Sequence, residues 1–313
     1  MAQRWWQDLP PAAGSFVMAT GIVSVGLHLT GFEVASWIAL ALAVAVLALL
    51  AIEFAARLLW HRSRWEAEAD TPPALTAIAA GTVLGTRFSL LGWHAAAAAM
   101  LALAATLWPV LMFAVLHHWK RRMAGAAFLA CVATQGLAML AGTLALADKG
   151  DWLAPVALGL FCLGLVLYVA ALLRFDLQQV WSGPGDQWMA TGALAISALA
   201  ASKLVASHHW TGTAHNALRV TALLVLGLNL LVYTILMIAE VIRPRPGYDI
   251  RRWATVFPLA MTAVAAYCTG ADAGVSGLQT LGKLLMVVAV GAWLLTFAAL
   301  LMERTTFDVD PVR

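Results

Sequence analysis

Arg251-Arg252-Trp253-Ala254-Thr255-Val256-Phe257-Pro258-Leu259-Ala260-Met261-Thr262-Ala263-Val264-Ala265-Ala266-Tyr267 is long enough to enter a membrane, opens with two arginines and carries a proline a third of the way along. Pro258 removes one backbone donor and its ring clashes with the preceding turn, so a helix here must bend or break at Phe257-Pro258. In hydrocarbon, freed backbone groups are tolerated only where protein or a water-filled cavity satisfies them. The stretch therefore reads as a helix facing the inside of a bundle, with the chain arranged around what it faces.

The rest of the chain supplies the bundle. Of 313 residues, 62% are hydrophobic and 11% charged, with a mean hydropathy of +0.84. Apolar runs near the length of a membrane span recur from end to end, which is the signature of a polytopic helical membrane protein. The runs are continuous rather than alternating, which excludes a porin-type barrel. A formal charge of +3 points to no nucleic acid, because the basic residues sit in short clusters between apolar runs. Cys131, Cys162 and Cys268 all fall inside apolar runs and read as small hydrophobic packers. Arg4, the Pro10-Pro11 pair and the apolar run after them lack a small-residue cleavage site, so this segment reads as a first helix rather than a signal peptide.

Ten spans can be drawn, at roughly 11–29, 35–60, 73–91, 93–117, 124–146, 151–174, 187–207, 214–242, 251–270 and 277–303. An even number puts both termini on one side. With the N-terminus inside, Arg87, Lys149, Lys203, Arg219 and Lys283 fall outside, and the other 14 of the 19 basic residues fall inside. The positive-inside rule then places both termini in the cytoplasm. No linker is long enough to divide residues 1–313 into domains.

The spans alternate in character. Even ones are leucine-rich, as in Leu223-Leu224-Val225-Leu226; odd ones are rich in Gly, Ala, Ser and Thr. Small residues let helices approach closely or line a narrow lumen, whereas leucine suits lipid. The odd spans also share a central triplet: Ala19-Thr20-Gly21, Ala79-Ala80-Gly81, Ala133-Thr134-Gln135, Ala190-Thr191-Gly192 and Val256-Phe257-Pro258. Their last residues, 21, 81, 135, 192 and 258, are 60, 54, 57 and 66 apart, one helical hairpin per step. Either this is chance among common membrane triplets, or it is a repeat of five hairpins with five inner and five outer helices. On the second reading Thr20, Gly21, Gly81, Thr134, Thr191 and Gly192 line a neutral lumen. Phe257 is then the bulky ring beside small residues, and a gate at the Pro258 bend; the alternative is ordinary packing.

Intramembrane charge is the usual pointer to function. The centres of the odd spans carry none, and Glu53 and Glu240 lie near the cytoplasmic ends of even spans. A proton or sodium relay therefore has no carboxylate at mid-depth, which favours passive passage and gives a cation nothing to bind. Arg87 and Lys203, with His28 at similar depth, either snorkel to headgroups or form an electropositive mouth that concentrates anions. His117-His118 and His208-His209 fall on opposite faces and cannot share an ion; His208, His209 and His215 lack ordered metal-ligand spacing. No motif points to an enzyme or a bound cofactor.

Phe16-Val17-Met18-Ala19-Thr20-Gly21, Gly81-Thr82-Val83-Leu84-Gly85-Thr86-Arg87 and Trp253-Ala254-Thr255-Val256-Phe257-Pro258 resemble the tellurite-resistance/dicarboxylate transporter family. That family includes bacterial TehA-type proteins, fungal malate permeases and sulfite pumps, and plant slow-type anion channels. The resemblance covers essentially the whole chain. It implies an all-α fold of ten transmembrane helices, five hairpins about a quasi-five-fold axis, with the odd helices around an anion pore. It also implies a phenylalanine of the ninth helix, here Phe257, occluding the pore, and homotrimers with one pore per subunit. The expectation is a channel or facilitator for small inorganic or organic anions in a bacterial inner membrane. The runners-up are a coupled C4-dicarboxylate carrier, a tellurite or sulfite exporter, and, from another class, a histidine-based metal protein or enzyme.

Overall fold

The computed structural model describes residues 13–60, 71–245 and 247–308. Arg4, Pro10, Pro11, Arg62, Arg64, Pro246 and Arg313, which the topology reading used, lie outside the described residues. Ten long helices run through the described residues in order: α1 (Gly14–Leu29), α2 (Glu33–Trp60), α3 (Thr76–Leu90), α4 (His94–His117), α5 (Leu129–Leu146), α6 (Leu153–Leu172), α7 (Met189–Ala206), α8 (Gly212–Ile242), α9 (Trp253–Asp272) and α10 (Ser276–Asp308). Among the described residues, eight segments are long and apolar enough to cross a membrane. α1 is apolar but has only 16 residues. α3 has 15 residues, which at 1.5 Å each span about 22 Å, less than a hydrocarbon core of about 30 Å. The one-turn helix Pro72–Leu75 lengthens α3 at its start.

Burial follows the alternation in composition. The apolar cores of Gly125–Leu146, Asp186–Ala206 and Ile250–Asp272 are each 89% buried, whereas those of Glu33–Ala56, His94–His117 and Ser276–Glu303 are 17%, 22% and 11% buried. Odd helices form the interior, and even helices present leucines outward, such as Leu103, Leu224 and Leu295. The odd helices pack in sequence, α1 on α3, α3 on α5, α5 on α7, α7 on α9, and α9 back on α1. Each even helix lies on the odd helix before it and touches the next one. Small residues permit the close approaches: a Cβ on Gly14 would stand 2.2 Å from Thr76 Oγ1, and one on Gly136 would stand 2.3 Å from Thr82 Oγ1.

The turns repeat as well. Each odd helix is joined to the following even helix through a glycine at positive φ: Gly31 (88°), Gly92 (78°), Gly150 (145°), Gly212 (59°) and Gly274 (72°). At three of them the next residue donates five residues back, Phe32 to Leu27, Trp93 to Phe88 and Val275 to Gly270, at 2.8–2.9 Å. This is the glycine-terminated helix end, in which a left-handed residue lets the chain reverse while satisfying an orphan carbonyl.

At the opposite end, Glu240 of α8 gathers three partners. It accepts from Arg252 Nη1 at 2.8 Å, from Trp188 Nε1 at 3.3 Å and from Arg245, which also bonds the Gly183 carbonyl. Burial lowers the pKa of the Arg245 guanidinium from its ordinary value, with Arg252 beside it adding repulsion. The cluster ties the starts of α7 and α9 to the end of α8. Glu240→Gln should destabilise the fold by about 1–2 kcal/mol through lost charge-assisted bonds. Thermal unfolding in detergent reads this directly, and a variant as stable as the parent would remove the structural role.

Candidate functional site

The C-terminal halves of the five odd helices line a partly open cavity of about 210 Å³. Every odd helix contributes: α1 through Val25 and Leu29, α3 through Thr86 and Ser89, α5 through Thr143, α7 through Lys203, and α9 through Val264 and Cys268. Lys203 is the charged residue of the lining. Its aliphatic stem crosses Gly142, where a Cβ would come within 3.0 Å of the lysine Cβ. Asp272 lies one turn beyond Cys268 on α9, and its Oδ2 is buried without a hydrogen-bond partner. The lining thus offers one ammonium group and several hydroxyls, with a carboxylate further out.

Below the cavity stands Phe257. It precedes Val264 by seven residues, which places it about 10 Å deeper along the helix, and its side chain is fully buried. The ring rests over Gly192 of α7, where a Cβ would lie 3.2 Å from Cε1, with Pro258 Cγ at 2.9 Å. Any side chain at 192 would displace the ring or the proline. On α3 at the matching level, Gly81 is buried, yet no atom lies within 4 Å of where its Cβ would be. Space therefore exists inside the bundle at the level of the triplets.

A family described as voltage-dependent anion channel, SLAC1, matches residues 8–301. The chain belongs to this family. No curated protein matches it. Membership in the SLAC1 family carries the coarse assignment: a membrane-embedded protein of a family of anion channels and transporters, whose members are not enzymes. It also agrees with the family that the Phe-Pro and Ala-Thr-Gly stretches resemble.

Within this SLAC1-family chain, the sequence-derived lumen residues separate. Gly192 and Gly81 lie beside the Phe257 ring and beside open space. The threonines turn elsewhere. Thr20 Oγ1 accepts from Trp293 Nε1 of α10 at 3.0 Å, and Thr134 Oγ1 accepts from Trp108 Nε1 of α4 at 2.9 Å. Thr191 Oγ1 donates to Asn229 Oδ1 of α8 at 2.5 Å. Gly21 faces α3, where its Cβ would meet Val83 Cγ1 at 3.1 Å. The polar atoms of Thr20, Thr134 and Thr191 and the close approach of Gly21 are thus engaged between helices, where an unpartnered hydroxyl in hydrocarbon is costly.

The cationic trio separates in the same way. Lys203 lines the cavity, but Arg87 and His28 do not. Arg87 is wholly buried, with its guanidinium packed between helices. Its Nε bonds Ser24 Oγ at 3.3 Å, and one terminal nitrogen bonds Ser36 Oγ at 3.0 Å. The same nitrogen lies 3.8 Å from Glu33 Oε2, and Trp37 lies beneath the guanidinium at 6.0 Å. Ser24 and Ser36 also donate to each other's carbonyls at 2.8 and 2.7 Å. His28 Nδ1 lies 2.6 Å from Glu33 Oε1. Arginine here joins three helices, α1, α2 and α3, with Glu33 as shared counter-charge.

Sequence reading missed Asn229, Gln135 and the Ser24/Ser36 pair. All four are wholly buried. Asn229 carried a signal, a carboxamide amid leucines, which is expensive in a helix facing lipid. His208 and His209 are exposed, and among the described residues no three of His, Cys, Asp and Glu come together as a metal-holding group.

Proposed function

We propose that this protein is an anion channel or facilitator whose five hairpins surround a quasi-five-fold axis, with the odd helices as the wall of the pore. The observation that carries the reading is the cavity shared by all five odd helices, lined by Lys203 and hydroxyls and ending above Phe257. In the closed state the Phe257 ring, bent inward at Pro258, fills the lumen against Gly192, and Gly81 contributes the space opposite. A ring of that size blocks a pore a few ångströms wide sterically and by drying it. Small inorganic or organic anions enter from the side of Lys203. The bilayer is a bacterial inner membrane, both termini lie in the cytoplasm, and subunits assemble as homotrimers with one pore each. Passive passage is supported by the lining, whose charged residue is Lys203, the carboxylate of Asp272 lying a turn beyond Cys268.

Purified protein in liposomes should pass chloride, nitrate or iodide with no proton gradient imposed. Strict dependence on such a gradient would instead make it a coupled carrier. Lys203 gives a further expected result. Lys203→Ala should lower anion flux about two- to fivefold at low salt and very little near 1 M, where the screening length falls to about 3 Å. Flux that drops equally at both salt concentrations would mean that Lys203 acts by packing rather than by charge.

A further inference from the structure

α8 is the outer helix of the fourth hairpin, and one side of it is aliphatic and exposed through Leu224, Leu228, Leu231 and Ile235. Asn229 lies on the other side, wholly buried, and its carboxamide serves two inner helices at once. Oδ1 accepts from Thr191 Oγ1 of α7 at 2.5 Å, and Nδ2 donates to Thr262 Oγ1 of α9 at 3.1 Å. A carboxamide suits this position because it presents an acceptor and a donor together. Thr20 and Thr134, at matching levels of α1 and α5, each receive a one-way bond from an indole N–H instead.

Both partners of Asn229 flank the gate. Thr191 immediately precedes Gly192, the cradle for the Phe257 ring and Pro258. Thr262 lies one turn beyond Pro258 on α9, past the point where proline removes a backbone hydrogen bond. The gate helix is therefore weakest beside the ring, and the turn that follows is fastened from outside by a side chain of another helix.

We propose that Asn229 is a positioning residue for the gate, clasping α9 to α7 next to Pro258 so that Phe257 stays in the lumen. The inference rests on the gate reading above and acts through it. It predicts that loosening the clasp raises the open population without altering the pathway itself.

Anion flux into liposomes, normalised to folded protein, tests this. Asn229→Leu and the near-isosteric Thr262→Val should each raise flux about threefold, the shift in a two-state population that loss of one interhelical side-chain bond brings. In a Phe257→Ala background neither should raise it further, because no ring is left to release. Trp108→Phe removes the comparable bond to Thr134, away from the gate, and should leave flux at the parental level. Asn229→Asp should restore closure at acidic pH, where the neutral acid still accepts and donates, and lose it as the carboxyl ionises. From Met189 to Ser202, from Val220 to Ile238 and from Trp253 to Ala271 these three helices carry no Asp, Glu, Lys, Arg or His. Tyr233, Tyr267 and Cys268 are shared with the parent, whose own pH profile, measured alongside, controls for them. Parental flux in both Asn229→Leu and Thr262→Val, with Phe257→Ala open, overturns the clasp and leaves the gate standing. A further gain in the Phe257→Ala background, or a gain from Trp108→Phe, overturns it as general loosening. If Phe257→Ala adds no flux, the gate reading fails first and the clasp falls with it.

Discussion

Phe257→Ala should open the pathway. On the proposed gate, removing the ring that rests over Gly192 of α7 would take away the plug at mid-membrane. Flux or conductance should rise at least about tenfold, since a path closed most of the time becomes steadily open. A phenylalanine that only packs would behave differently. Its loss would cost about 3–5 kcal/mol by analogy with soluble cores and would add no flux. The comparison therefore needs both readouts on the same preparation: iodide influx per folded protein, and unfolding temperature. A less stable variant that conducts no better than the parent sinks the gate assignment. Gly192→Ala complements it, because a methyl group 3.2 Å from the ring must push Phe257 or Pro258 aside.

Arg87→Ala should do the reverse, costing stability while leaving the salt dependence of transport alone. The guanidinium is wholly buried and bonds Ser24 and Ser36 on the neighbouring hairpin. Its removal deletes charge-assisted hydrogen bonds and leaves a cavity beside Trp37, which together should cost about 2–4 kcal/mol. The cost stays below that of breaking a fully buried ion pair because Glu33 is half exposed and retains His28. Unfolding followed by tryptophan fluorescence measures the loss. Flux per folded molecule should change less than about twofold, with the same slope against ionic strength as the parent. A steep loss of flux confined to low salt, at unchanged stability, would return Arg87 to the mouth.

These two residues also mark the boundary between sequence and structure. Ten helices, their order and the division into buried and lipid-facing sets were legible, because each rests on local chemistry. Leucine-rich runs avoid water and tolerate lipid, and helices of Gly, Ala, Ser and Thr approach other helices closely. Pro258 was plain in the same way, as a covalent property of one residue, although α9 runs from Trp253 to Asp272 without the break expected there, the proline lying in its second turn. Gly192 and Pro258, which the triplets paired, do meet across α7 and α9.

Azimuth was not legible. A soluble helix reveals its inner face through an apolar stripe, but α5 and α7 are buried on nearly all sides. In such a helix Thr134 beside Gln135, or Thr191 beside Gly192, gives no sign of which residue meets the lumen and which meets a neighbour. Tertiary packing decided the partners by bringing Trp108, Trp293 and Asn229 within reach of the three threonines, since a hydroxyl surrounded by hydrocarbon takes whatever partner the next helix supplies. Arg87 shows the same division. Its charge near a helix end was plain in the chain, but Ser24, Glu33 and Ser36 lie more than fifty residues away. Only the docking of the first hairpin against α3 decided that the charge is held inside the bundle, because the balance between snorkelling and burial depends on partners that sequence distance conceals.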